Sequence, residues 1–554
     1  MLVWLLGPLG VLTLGRHLGA PAWGGLVAAL GVAFGGYYTG NAEHTSMLAT
    51  LSFLPWTLWR MDVALTSQRV RPAVEAGSLW GLSALGGYPG LVLLNACFIG
   101  LWSLARAPLR RVIVAHALML VVGLVVLLPT YAGFFVEAPG YSRRAGALPR
   151  TDAVESNALH PAGLMTAIRP EFALRDVFDY TDISMRSIYA GTLVPLLAVF
   201  GFVTRRDRTR WWLLLLGLLF LAAAMGRALP LRGWLYDWLP PMRYFRHSAL
   251  FRCYYIVAVA MLALHGAREL NEILKARAAG GVKRAAAWVP LVLVILAITD
   301  AASTSWLLRP VLFGDAAATW RGLGGVHRKN LDLTAGGLGR VPENGGNLTF
   351  VSKTPAMAGY EPLAGPLFTR YRDEPVLLAS AVGRDRLWFS PTAVNIDRSE
   401  ECFDAFRLRA VALGAPPLVI HSRLRMSESY EPRSGAENPV PCPFRFDEVP
   451  AAQRLSSDAI AVTFYDPTAL HLRVEVPQAG WLLVTDSWSR GWQATVNGVV
   501  APLRGGNFIF RAVQVQQGSN EIEFTFTAFG FPWLVALSWG TLGVVAAVSA
   551  RSSR

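Results

Sequence analysis

AAWVPLVLVILAITDAASTS, from Ala286 to Ser305, carries a single charge, Asp300, in its 20 residues. About 20 consecutive apolar residues take an α-helix across the hydrocarbon core of a bilayer. Before it lies the basic stretch Arg268 to Arg284, and after it a polar region, 306–528, without any run apolar enough to span. The segment therefore divides the chain into an apolar part and a polar part on opposite sides of a crossing. Working outward, further apolar blocks fall near 2–19, 21–38, 46–59, 73–86, 88–104, 112–131, 188–204, 211–226, 248–266 and 530–549, which makes 11 candidate helices with this one. A hydrophobic content of 53%, only 16% charged residues and a mean hydropathy of +0.38 over 554 residues fit a polytopic α-helical membrane protein and exclude an ordinary soluble domain.

Charge sets the expected topology. Short loops rich in arginine and lysine face the cytoplasm, and Arg205–Arg210 and Arg268–Arg284 are the clearest such loops. Arg106, Arg110 and Arg111 then lie inside, as do Arg60, Arg69 and Arg71 if 73–104 forms a hairpin through Gly86–Gly90. The 306–528 region lies outside, and the C-terminus, with Arg551 and Arg554, inside. Reading backward, Gly40–His44 is outside, Arg16 and His17 inside, and Met1 outside. The net charge of +14 is thus read as orientation signal, and nucleic acid is not expected as a partner. The 47 arginines against 4 lysines fit a biased genome better than phosphate chemistry.

The polar region reads in two parts. Residues 306–465 have mixed α/β character. In 466–528, Leu470, Leu472, Val474 and Val476 alternate with polar residues, as do Ile522, Phe524 and Phe526, and Asn497-Gly498 separates two short apolar runs as a tight hairpin. With Phe508–Val515 these form an antiparallel β-sandwich leading into the last helix, 529–554. Cys402 and Cys442 lie in this region and are candidates for a disulfide if it faces an oxidising compartment, whereas Cys97 and Cys253 lie in apolar blocks.

The closing segment DSWSRGWQATVNGVVAPLRGGNFIFRAVQVQQGSNEIEFTFTAFGFPW and the stretch AMGRALPLRGWLYDWLPPMRYFRHSALFRCYYIVAVAMLALHGARE, Ala224 to Glu269, resemble the YfhO-like bacterial membrane proteins of the GT-C glycosyltransferase class. GNAEHTSMLATLSFLPW and GLSALGGYPG add weaker similarity, in family order. The resemblance implies 1–305 as a GT-C-like transmembrane domain of the bacterial inner membrane. It implies transfer of a sugar from a polyprenyl-phosphate carrier to a cell-envelope glycan on the outer face. Such chemistry asks for a carboxylate to orient or deprotonate the acceptor hydroxyl, and for arginines, a divalent cation such as Mg or Mn, or both, to stabilise charge on the departing lipid phosphate. The class carries its principal acid in a first outer loop after one crossing. Here the first carboxylate is Glu43, so the resemblance implies an incomplete chain lacking one helix and an acidic loop before Met1, a misplaced start codon, or a member that has lost its acid.

Candidate residues follow. Glu43 and His44 pair a carboxylate with an imidazole at an outer helix end, as a base, a metal site or a hydrated polar pair. Arg143 and Arg144, after Tyr141, and Arg243 and Arg246 are candidates for binding the substrate phosphate. Arg227, Arg232 and Arg252 crowd the same helix ends, where ordinary lipid headgroups are the competing ligand. Asp176, Asp179 and Asp182, spaced by three, share a face if helical and suit a hard cation, or form a solvated acidic face. Trp234, Tyr236 and Trp238 read as an interfacial aromatic belt. The competing functions are a non-catalytic membrane protein that binds lipid-linked sugar or glycan, and a transporter; the latter is disfavoured by the lack of repeated halves and by few intramembrane charges besides Asp300.

Overall fold

A computed structural model describes residues 2–42, 44–141, 147–204, 207–279, 283–309, 366–382, 386–396, 402–422, 442–466 and 468–551. The chain divides into two compact units, one of 1–131, 147–315 and 532–554, the other of 132–146 and 316–531.

The first unit is helical: α1 (Leu2–His17), α2 (Ala22–Ala33), α3 (Gly36–Gly40), α4 (Thr45–Ser52), α5 (Leu54–Ser67), α6 (Val70–Leu82), α7 (Pro89–Leu104), α8 (Leu109–Tyr141), α9 (Arg150–Val154), α10 (Leu193–Thr204), α11 (Arg208–Ala224), α12 (Leu231–Trp238), α13 (Arg252–Ala279) and α14 (Lys283–Leu307). Among the described residues, four segments are long and apolar enough to cross a membrane: Leu109–Gly133, Ser248–Ala279, Trp288–Leu307 and Phe531–Arg551. Of the other apolar blocks, 2–19, 88–104 and 211–226 form single helices of 16 or 17 residues, and some others break into shorter pieces. Block 21–38 breaks before Gly35, where a Cβ would strike the Gly31 and Tyr189 carbonyls. Block 46–59 breaks at Phe53, and Pro55 lies in the first turn of α5, where its missing N–H costs no hydrogen bond. Block 188–204 is non-helical up to Leu193. At about 1.5 Å per residue such pieces fall short of a full crossing.

α13 is the hub, 89% buried over its most apolar window, whereas the last helix is 6% buried. Its tightest neighbour is α10, because Gly201 and Gly266 face each other: a Cβ at Gly266 would overlap the Leu197 carbonyl, and one at Gly201 would meet the Gly266 nitrogen at 2.6 Å. Asp300 on α14 caps α10, accepting from the Thr192 amide (3.0 Å), the Thr192 hydroxyl (2.9 Å) and Tyr189 (2.5 Å). At the other end of the unit, buried Asp62 binds Arg106 at 2.5 and 3.0 Å and His17 at 2.8 Å. Glu75 holds Arg60, Arg71 and the Ser549 hydroxyl. The basic helix ends that the charge pattern groups together are thus joined by hydrogen bonds.

The second unit has α15 (Pro366–Asp373), α16 (Pro375–Ala381), β1 (Leu387–Ser390), β2 (Val394–Asn395), α17 (Phe403–Leu413), β3 (Val419–His421), β4 (Gln453–Arg454), β5 (Ile460–Asp466), β6 (Ala469–Val476), β7 (Gly480–Val484), β8 (Trp492–Val496), β9 (Val499–Ala501), β10 (Arg504–Gly506), β11 (Phe510–Val515) and β12 (Gly518–Phe526); α18 (Phe531–Arg551) follows it. Strands run β2-β3-β10-β11-β7-β1-β4 in one sheet and β5-β6-β12-β8-β9 in the other. Pairing is antiparallel except between β2 and β3. The seven-stranded sheet is the middle of three layers. Tyr371, Phe403, Phe406 and Phe510 pack on its helical side, and Phe389, Leu482, Val484 and Val513 meet Leu472, Val474, Ile522 and Phe524 of the other sheet.

This corrects the expected boundary at 465. β1 pairs with β7 on one edge and β4 on the other, and β5 pairs with β6, so strands from 386–466 complete the sandwich instead of forming a separate lobe. The Asn497-Gly498 hairpin is present, with φ of 53° and 76°. Cys402 and Cys442 are joined in a disulfide with Cα atoms 4.8 Å apart, and Cys97 and Cys253 are free thiols.

Candidate functional site

The polar residues of the helical unit converge where α13 begins. Four loops interlock there: 153–160, 181–187, 224–228 and 246–252. The Leu159 amide donates to the Ala224 carbonyl, the Ala249 amide to the Asn157 carbonyl and the Thr181 hydroxyl to the Ala158 carbonyl. The 36–42 segment closes on them because Gly36 and Gly40 lack side chains: a Cβ on either would run into Ser187 or the Ser184 carbonyl. Asn41 donates to the Tyr37 carbonyl at 2.9 Å from the same segment.

Asp182 sits at the centre. Its Oδ1 accepts from the Ser184 amide (2.9 Å) and hydroxyl (2.5 Å). Its Oδ2 takes no hydrogen bond among the described residues. Burial pushes the carboxyl up, but the Ser184 bonds, then the nearby His44 imidazole and Arg186, outweigh it and hold the carboxyl below the usual carboxylate range. The Asp182 amide donates to Asn157 Oδ1 at 3.0 Å, and Asn157 Nδ2 lies 3.1 Å from His247 Nδ1.

The three aspartates do not share a helix face, because 175–182 is not helical. Asp179 is 3.7 Å from His160 and 3.6 Å from Arg227, and Asp176 is exposed. Each carboxylate has its own surroundings, and among the described residues no three His, Cys, Asp or Glu side chains are grouped to hold a metal ion. The structure therefore does not bring Asp176, Asp179 and Asp182 together as one group.

The five arginines separate by burial. Arg232 and Arg252 are fully buried. Arg232 donates to the Met242 and Phe245 carbonyls, both at 2.9 Å, and Arg252 to those of Ser184 (2.6 Å), Ser187 (2.9 Å) and Ala249 (3.0 Å). These two fix loops and do not present a binding surface. Burial lowers the Arg232 guanidinium to about 10. Arg243 caps α12, donating to the Tyr236 and Asp237 carbonyls at 3.2 Å. Arg227 and Arg246 remain half-exposed. Arg227 lies over the Tyr180 ring at 3.6 Å, and Arg246 is 4.0 Å from Asp152 with Nε lacking a hydrogen-bond partner. Trp234 and Trp238 stack at 6.0 Å with their outer faces exposed, while the Tyr236 hydroxyl donates to the Leu148 carbonyl. Glu43, Arg143 and Arg144 lie outside the described residues.

Asn157, His160 and His247 belong to the cluster and are not singled out by motif. A usable signal was the rarity of histidine: the chain has 9, and His160 faces Asp179, His247 faces Asn157 and His44 acts on Asp182. Comparison with protein-family models, with curated proteins and with solved structures finds no match to this chain.

Proposed function

We propose that the chain is a multi-pass membrane protein of GT-C type that transfers a sugar from a polyprenyl-phosphate carrier to a cell-envelope glycan at the outer face. The observation that carries this reading is Asp182: a carboxylate held below the usual carboxylate range, its Oδ2 taking no hydrogen bond among the described residues, near the His44 imidazole and Arg186 at one end of an apolar helical unit. From Arg252 in the cluster, α13 runs 16 residues to Arg268, which packs beside Gly19 next to the His17–Asp62–Arg106 end. That is about 24 Å at 1.5 Å per residue. If the basic end is cytoplasmic, the cluster opens outward. In this reading the short helices pack as partial crossings around the four long ones, and 386–526 is extracytoplasmic. The disulfide there suits an oxidising compartment.

Asp182 accepts the proton of the acceptor hydroxyl, and Arg246 and Arg227 stabilise charge on the departing lipid phosphate. No step is assigned to a cation. Because its carboxyl is held low, Asp182 keeps its ionised form further into acid than an ordinary carboxylate does. The order it confers through Ser184 is present above the ordinary carboxylate pKa and is lost only as pH falls through the lowered one.

The test is transfer from a radiolabelled polyprenyl-phosphate hexose by the full chain in vesicles. Asp182→Asn should cut turnover about a hundredfold or more, equally at all pH values from 5 to 8, with donor binding kept. Unchanged turnover in that variant removes Asp182 from the role. The second reading, binding of lipid-linked sugar without turnover, draws on Asp182 Oδ1 already holding Ser184 in place. Saturable donor binding with no transfer by the wild type would select it.

A further inference from the structure

We infer that Asn157 is a positioning residue that fixes His247 as a neutral imidazole with its proton on Nε2, making it a hydrogen-bond donor in the cluster. The inference rests on the proposed transfer for its meaning, but its geometry stands alone. The Asp182 backbone amide can only donate, so the Asn157 side-chain atom that faces it at 3.0 Å is Oδ1. The other end of the same amide is then Nδ2, which can only donate, and it faces His247 Nδ1 at 3.1 Å. Nδ1 is therefore an acceptor and carries no proton. In a neutral ring the proton sits on Nε2, and an imidazolium would set an N–H against an NH2 group.

Asn157 is itself held for this purpose. Its φ is 48°, in the left-handed region that asparagine tolerates better than most residues, and its carbonyl accepts from the Ala249 amide two residues beyond His247. One side chain thereby couples the backbone of the carboxylate Asp182 to the tautomer of His247. The coupling makes the backbone of Asp182, the carboxylate proposed as base, and the choice of protonated nitrogen in His247 depend on one side chain.

The experiment uses the full chain, labelled with nitrogen-15 histidine, in phosphatidylethanolamine–phosphatidylglycerol vesicles, with His247→Gln to assign the resonances. In the wild type Nε2 should be protonated and Nδ1 bare. Asn157→Asp keeps the acceptor for the Asp182 amide but places an acceptor against Nδ1, so the proton should move to Nδ1. Asn157→Gly keeps the positive φ and removes the side chain, so both tautomers should appear. A protonated Nδ1 in the wild type, or a spectrum unchanged by Asn157→Asp, overturns the assignment. In the transfer assay Asn157→Asp should slow turnover tenfold or more with the KM for donor within twofold, and Asn157→Gly should be less impaired. A switched tautomer with undiminished turnover overturns the positioning role. The expected tautomers in a protein that transfers nothing support the assignment and overturn the functional reading instead.

Discussion

Arg252 in the helical unit and Arg511 in the β-rich unit are both buried guanidiniums, and their surroundings neutralise them by different means. Arg252 meets three backbone carbonyls, whose partial charges converge because the 184–187 loop and the start of α13 wrap around it. Arg511 shares the carboxylate of Asp486, at 2.7 Å, with the equally buried Arg386, and stacks at 3.7 Å on Trp492. Burial lowers Arg511 to about 10 against the pull of Asp486, while at Arg386 the same burial is outweighed by Asp486 and the protonated form is favoured. The loops packed around a helix start supply backbone carbonyls that no helix or sheet ladder has claimed. A sandwich interior has its carbonyls in the ladder, so it needs a carboxylate.

The sharpest way to break this contrast is Asp486→Asn. It leaves two neighbouring guanidiniums inside the sandwich without a counter-charge and should cost about 3–5 kcal/mol, read by thermal unfolding and by protease sensitivity within 386–526 of the full chain. Adding Arg511→Met should recover part of the loss, since one of the two stranded charges is gone. A small loss in the single variant would mean that the rings of Trp492, under Arg511, and Tyr465, 5.3 Å from Arg386, suffice for the two cations. Breaking the disulfide with Cys402→Ser tests the same unit by another route. The bond closes a 40-residue separation, and removing it should cost about 2–4 kcal/mol, with proteolysis first near α17 and no change in the helical unit.

On the helical side Arg252→Met should cost about 2–3 kcal/mol, because the carbonyls of Ser184 and Ser187 lose charge-assisted donors in a buried setting. Its signature differs from that of Asp486→Asn. Hydrogen exchange should rise in 181–189 and 247–252, where the two loops meet, and the β-rich unit should keep its protection. Exchange that rises in both units alike would end the claim that each arginine is a local device.

The same contrast explains what was legible in the sequence. β6 and β12 show one buried and one wet face, so their period of two stands out, and Asn497-Gly498 announces its own turn. β1, Leu387–Ser390, is buried on both faces as a strand of the middle layer and shows no alternation. Its partners β7 and β4 lie far along the chain, which no local pattern reveals. At the site, Asp182 stands out as a carboxylate, but the helix that would have aligned it with Asp176 and Asp179 does not form. Side chain to backbone bonds from Asp182 and Arg186 hold that segment in a non-helical path. Arg232 and Arg246 are the same residue type fourteen positions apart in one basic stretch. Only the fold separates the fully buried one from the half-exposed one.

That pair supplies the smallest effect on stability and the clearest separation of roles. Among the described residues Arg246 has one distant ion-pair partner, Asp152 at 4.0 Å, with both side chains more than two-fifths exposed. An exposed pair of this kind contributes about 0.5 kcal/mol or less, so Arg246→Gln should leave the melting temperature unchanged. Its Nε nevertheless lies buried without a hydrogen-bond partner, pointing to donor capacity that the fold does not use. In the transfer assay the same variant should raise KM for the lipid-linked donor and steepen its dependence on salt no further, since the charge that salt screens has been removed. Arg232→Gln should do the reverse, lowering the melting temperature through the lost Met242 and Phe245 bonds. Should Arg246→Gln destabilise the protein as much as Arg232→Gln does, the half-exposed guanidinium is a loop clamp like its buried neighbour, and the phosphate role passes to Arg227.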